Sequence, residues 1–135
     1  MAKKTSQLNT GGKKMIRQIR MVATIPAGGT GVTADSSNFH GEILKIQMDV
    51  TGASMDINLD TIGEPSAQAI LDYTGNTDST FYPRVGVQDY QGTALVYIAS
   101  GEIIPVPFIV NGKVRLTLAS GAAAETVTMT ITYRE

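Results

Sequence analysis

The chain has 135 residues, 42% of them hydrophobic and 17% charged, a composition that suits one domain built around one core. It contains no cysteine, which excludes disulfides and thiolate metal sites, and no apolar run approaches the roughly 20 residues that cross a bilayer as a helix. Net charge is −1 but unevenly spread: residues 1–20 carry Lys3, Lys4, Lys13, Lys14, Arg17 and Arg20 and no acid, while the remainder has five basic and twelve acidic residues.

Residues 1–14 are polar, Lys-rich and interrupted by Gly11-Gly12, and read as a flexible basic arm preceding a single domain over residues 15–135. A basic arm on an acidic body seeks an acidic partner, either nucleic acid or the body of a neighbouring copy; a solvated leader is the plainer alternative. Polar residues follow the first lysines where a secretory signal has an apolar stretch, so no export or membrane-anchoring device is expected. Fully extended, fourteen residues reach up to about 45–50 Å.

The first strand is expected between Met15 and Ile25, where Ile19, Met21, Ala23 and Ile25 alternate. Pro26-Ala27-Gly28-Gly29-Thr30-Gly31 breaks regular structure, and residues 26–41 read as a long loop. From Glu42 the period is two: Leu44, Ile46, Met48 and Val50 alternate with polar residues, as do Met55, Ile57 and Leu59 after Thr51-Gly52-Ala53-Ser54. A two-residue Gly-Ala turn of type II′ would pair Val50 with Met55, Met48 with Ile57 and Ile46 with Leu59 in one hairpin, all six on one face. A short strand near Ala67 to Leu71, a loop over residues 75–79 and an extended segment from Phe81 to Val87 follow.

Strands are expected at 94–99 and 103–110. Asn111-Gly112 then signals a hairpin that pairs Val110 with Lys113, Ile109 with Val114 and Pro107 with Leu116. After a small-residue loop, Val127, Met129, Ile131 and Tyr133 lie on one side of a last strand, with Leu118 opposite Val127, Leu116 opposite Met129 and Val114 opposite Ile131. About eight short strands with Gly-rich turns make an all-β fold, expected as an antiparallel two-sheet sandwich or jelly roll.

Residues 103–110 are apolar on both faces. With Pro105, Pro107 and Ile109 assigned to the core, Ile104, Val106 and Phe108 point outward, where a small antiparallel sheet normally carries polar residues. Prolines cannot donate a ladder hydrogen bond, which puts this strand at a sheet edge. An apolar outer face at an edge is the candidate interface; a cover by the 26–41 loop is the alternative.

Catalytic and metal patterns are weak. Gly28-Gly29-Thr30-Gly31 lacks the Lys-Ser/Thr pair and the helix of a phosphate loop. Asp56-Ile57-Asn58-Leu59-Asp60 opens like a calcium loop, but Thr61 replaces the central glycine and Ala67 the closing Glu. The expected hairpin sets Asp49 opposite Asp56, an unfavourable pair that a cation or a neighbour's basic arm would relieve. His40 is the single histidine, no Ser sits in a nucleophile elbow, and the carboxylates are scattered. No enzyme activity and no cofactor are expected.

Three stretches carry a family likeness: Ile25-Pro26-Ala27-Gly28-Gly29-Thr30-Gly31; Phe81-Tyr82-Pro83-Arg84-Val85 with Asp89-Tyr90-Gln91-Gly92-Thr93; and Val110-Asn111-Gly112-Lys113-Val114 through Ala119-Ser120-Gly121 to Thr126-Val127-Thr128-Met129-Thr130-Ile131. On these the chain resembles small structural proteins of tailed-bacteriophage virions, of the capsid decoration or cement type. The resemblance implies a β-sandwich that forms a homo-oligomer, commonly a trimer, and binds the major capsid protein or another virion protein. Nucleic acid would be met only through the arm, and membrane not at all. Two alternatives stay open: a tail, neck or fibre-base module, and a carbohydrate-binding module using Tyr73, Tyr82 and Tyr90.

Overall fold

The computed structural model describes residues 15–63, 65–86, 91 and 105–135. Among these there is no helix. Nine strands occur: β1 (Ile16–Thr24), β2 (Val32–Asp35), β3 (Phe39–Thr51), β4 (Met55–Ile62), β5 (Ala69–Gly75), β6 (Ser79–Phe81), β7 (Arg84–Gly86), β8 (Pro105–Ala119) and β9 (Thr126–Arg134). The chain is all-β, and the pairings are antiparallel along the path β1-β9-β3-β8-β4-β5, with β2 and β7 on β8 and β6 on β3. The expected strand over residues 94–99 lies outside the described residues.

Alternation places the core. On β1, Met21 and Ala23 are buried, with Ile25 just beyond; β4 buries Met55, Ile57 and Leu59; β9 buries Val127, Met129 and Ile131. These side chains join Ile43, Ile46 and Met48 of β3 and Val114, Leu116 and Leu118 of β8 in one hydrophobic cluster. Burial of each of the larger side chains contributes about 1.5–3 kcal/mol. On β3 the alternation breaks once. A β-bulge between Ile43 and Lys45 gives Leu44 no counterpart on β9, so Ile43 is buried and Leu44, expected in the core, is only half-buried.

The partners of the strands differ from expectation in three places. β3 and β4 do not form a hairpin: β3 lies between β9 and β8, while β4 lies between β8 and β5. The six apolar residues of the expected hairpin do turn toward the core, Val50 partly, but from strands that do not pair. The connection is held elsewhere. The Glu125 carboxylate accepts the backbone N–H of Ala53, and a Cβ on Gly52 would strike the Glu125 side chain, so residues 51–54 are packed onto the 120–125 loop.

Asn111-Gly112 does not turn the chain either. β8 runs through it without reversal, and Gly112 adopts φ +141°. The dipeptide marks a change of partner: Phe108 to Gly112 pair with Ile43 to Phe39 of β3, and Lys113 to Ala119 pair with Ile62 to Asp56 of β4. The third correction follows. β9 does not pair with β8 in a meander; it lies between β1 and β3, with Met129 opposite both Met21 and Met48. The 120–125 loop carries it there. Ala124 N–H donates to Ile25 O at 2.8 Å, Ile25 N–H to Glu125 O at 2.9 Å, and Gly121 N–H to Thr30 O at 3.0 Å. Those bonds tie the loop to the end of β1. The segment read as a long loop over 26–41 is in fact a turn, then β2 on β8, then the start of β3.

Candidate interaction surface

β7 pairs with the proline-bearing start of β8, Arg84 with Pro107 and Val85 with Val106. Beside this pairing lies a groove of about 220 Å³ lined by Gln68, Val85, Val106, Pro107, Phe108 and Ile109. Val106 and Phe108 of the set expected from sequence line it, but the facing of the strand is reversed. Phe108 is buried at 4% exposure and Val106 is half-buried, whereas Ile109, assigned to the core from sequence, is 68% exposed. The cause is the missing hairpin. A turn at residues 111–112 would put Ile109 on the face of Val114; an uninterrupted strand puts Phe108 and Val110 there instead. Ile109 and Val85 are therefore the outward apolar residues of this surface. Counting parity straight through Asn111-Gly112 would have found Ile109. Ile104 lies outside the described residues.

Lys3, Lys4, Lys13 and Lys14 also lie outside them. Arg17 and Arg20 do not belong to an arm: both are on β1. Arg17 Nε is 2.6 Å from Glu135 Oε2, an ion pair that fastens the start of β1 to the residue after β9, where Glu135 N–H also donates to Met15 O at 3.0 Å. Arg20 is exposed in an outward row with Thr130 and Gln47.

A second concavity, about 540 Å³, opens beside Asn38, Phe39, His40, Gly41, Tyr133 and Glu135. Phe39 and Tyr133 are in ring contact at 4.7 Å and both are buried, so they form its wall; His40 is exposed at its side. Asp49 and Asp56 are not opposite one another, because their strands do not pair; Asp49 faces Thr128, and Asp56 accepts a hydrogen bond from Thr74 Oγ1 at 2.9 Å. Of the three tyrosines considered for sugar stacking, Tyr73 is half-buried in an edge contact with Phe81, Tyr82 is exposed, and Tyr90 lies outside the described residues.

One exposed ion pair has well-formed geometry. Arg115 donates from Nε to Asp35 Oδ1 at 2.7 Å and from Nη2 to Asp35 Oδ2 at 3.0 Å, bridging the paired strands β2 and β8. The hydrogen bonds from the guanidinium hold the Asp35 carboxyl below the usual aspartate value. Glu125, by contrast, is a buried carboxylate that sequence reading passed over: it accepts from Ala122 N–H at 2.7 Å and from Ala53 N–H. Its position after a small-residue loop and before an alternating strand is the only hint the sequence holds.

Comparison of the chain with protein-family models, with curated proteins and with solved structures finds no match.

Proposed function

We propose that this chain is a non-enzymatic structural component of a tailed-phage virion, of the capsid decoration or cement type. In this reading the protein resides in the virion, assembles as a homo-oligomer and binds neighbouring subunits of the major capsid protein. In this reading the two stretches of sheet joined through β8 would face each other as a β-sandwich of jelly-roll type, with the common core between them. Such a role asks for a rigid body and a surface that a neighbour can cover.

The observation that carries the reading is Ile109, 68% exposed, in the lining of an apolar groove that also includes buried Phe108, Val85 and Pro107. An isolated exposed isoleucine needs no explanation, but one that continues an apolar groove gives a partner both an anchor and a seat. The test uses purified particles from the source of the chain, probed with an antibody to it. A copy number that rises with the number of capsomers supports the head assignment; a few copies per particle moves the chain to the tail or neck, and absence from particles ends the reading. Ile109→Gln should abolish particle binding while leaving thermal melting nearly unchanged, because the side chain is already mostly in water and a neutral residue adds no charge opposite Glu42.

A further inference from the structure

Strands with a free edge differ here in how that edge is protected. β2 has four residues and β7 three, and β5 meets β4 through a register shift between Leu59 and Asp60. β1 has none of these features. All nine of its residues pair with β9 without a shift, from Ile16 opposite Arg134 to Thr24 opposite Thr126. No described strand pairs with its other side. It contains neither proline nor bulge, two devices that keep such an edge from recruiting another strand; charge, a third, is confined to Arg17, paired with Glu135, and Arg20. Its outward face carries two large apolar side chains in solvent, Ile16 at 63% and Val22 at 50% exposure. On the opposite face Ile19 packs on the core yet is only partly buried.

We propose that β1 pairs antiparallel with β1 of a second copy about a twofold axis at Ile19. A continuous sheet must keep outward residues opposite outward residues, so the possible centres are single residues of the strand. A centre at Arg20 sets the two Arg20 side chains directly against each other, which is unfavourable. A centre at Gln18 puts Ile16 against Arg20 and leaves Val22 with no partner in β1. Only the centre at Ile19 places Ile16 against Val22, twice by symmetry, with Gln18 against Arg20 and Ile19 against its own copy. β-Branched pairs of this kind are the stabilising unit of a sheet. The charge of Arg17 does not oppose the contact, because Glu135 of the same chain neutralises it. The outward row of Asp49, Thr128 and Val22 then continues into Ile16, Arg134 and Glu42 of the second copy.

This contact makes the homo-oligomer a twofold dimer in place of the trimer that the resemblance implies, and it rests on the virion reading only for its biological purpose. The full chain has no cysteine, so introduced ones report unambiguously. Gln18→Cys and Arg20→Cys proteins, mixed in equal amounts and oxidised, should give the mixed disulfide in large excess over either like pair. Residues directly opposite have Cα atoms about 4.5–5.5 Å apart, within disulfide reach, whereas like pairs in this register are on the order of 8 Å apart. Disulfides in random proportion overturn the register and with it the proposal. Sedimentation of the unmodified chain should show a dimer, and Val22→Lys should raise its dissociation constant about tenfold or more, with unchanged melting at concentrations where both proteins are monomeric. A monomer at every concentration, or a dimer indifferent to Val22→Lys, overturns the contact. Particle binding without a β1 dimer refutes this surface and leaves the virion role standing; a β1 dimer that binds no particle does the reverse.

Discussion

Glu125 joins two connections that have no sequence relation to each other. One oxygen accepts from Ala122 in its own loop and the other from Ala53 between β3 and β4, so a single side chain satisfies two backbone donors at the same end of the molecule. Removing it leaves both N–H groups in a crowded site beside Gly52 and Gly121. Glu125→Ala should lower the unfolding free energy by about 1–3 kcal/mol, read from the shift of a urea transition at constant slope. Asp35 makes a different kind of contribution. Its folded pKa lies below the value of 3.8 for an unperturbed aspartate, because Arg115 hydrogen-bonds the charged form. The stabilisation is therefore complete above about pH 3.8 and is lost as pH falls through the lower folded value. A carboxyl NMR titration should place the Asp35 midpoint below 3.8, and Arg115→Gln should raise it toward that value.

At the scale of elements, the pairing of β3 with β9 rather than β4 is open to direct test. Cysteines at Asp49 and Thr128, which are Cα partners, should oxidise readily and raise the melting temperature. Cysteines at Asp49 and Asp56, partners only in the hairpin that does not form, should stay reduced. The same case shows what was legible beforehand. Period-two alternation depends on the pleat alone, so the inward residues of β1, β4 and β9 could be read directly: Met21 and Ala23, Ile57 and Leu59, Met129 and Ile131. Partner choice is another matter. Ile46 and Met48 can be buried beside Leu59 and Ile57 in one hairpin or against them from a strand that pairs elsewhere, and the pattern is identical in both. The difference lies in long-range contacts that no local pattern announces, among them the Glu125 carboxylate on the Ala53 N–H. The candidate surface suffered from the same ambiguity. Ile104, Val106 and Phe108 were singled out because residues 103–110 are apolar on both faces, but the Asn-Gly turn signal inverted the facing of the strand and hid Ile109.

Across the whole molecule, the pairings are mostly between distant parts of the chain. β1 pairs with β9, bringing Ile16 opposite Arg134, and β3 pairs with β8 and β9 instead of its successor. Chains dominated by such contacts must close large loops before any reward arrives. Refolding should accordingly be slow for its size, in the range of about milliseconds to seconds by stopped-flow fluorescence of the tyrosines. Ile131→Ala, which opens the centre of the core from β9, should cost about 2–5 kcal/mol by equilibrium denaturation. The neighbouring position of β1 and β9 has a mechanical side as well. Because the strands are antiparallel and Met15 meets Glu135 at one end, a pull on those two ends opens the pair like a zipper, breaking hydrogen bonds one after another. Stretching along β8 meets a different resistance, since that strand is gripped by β3 over one part of its length and by β4 over another, and must shear many bonds together. The fold is thus weak to a tug at Met15 and Glu135 and stiff across its middle, so a tether in a force-bearing assembly belongs on β8.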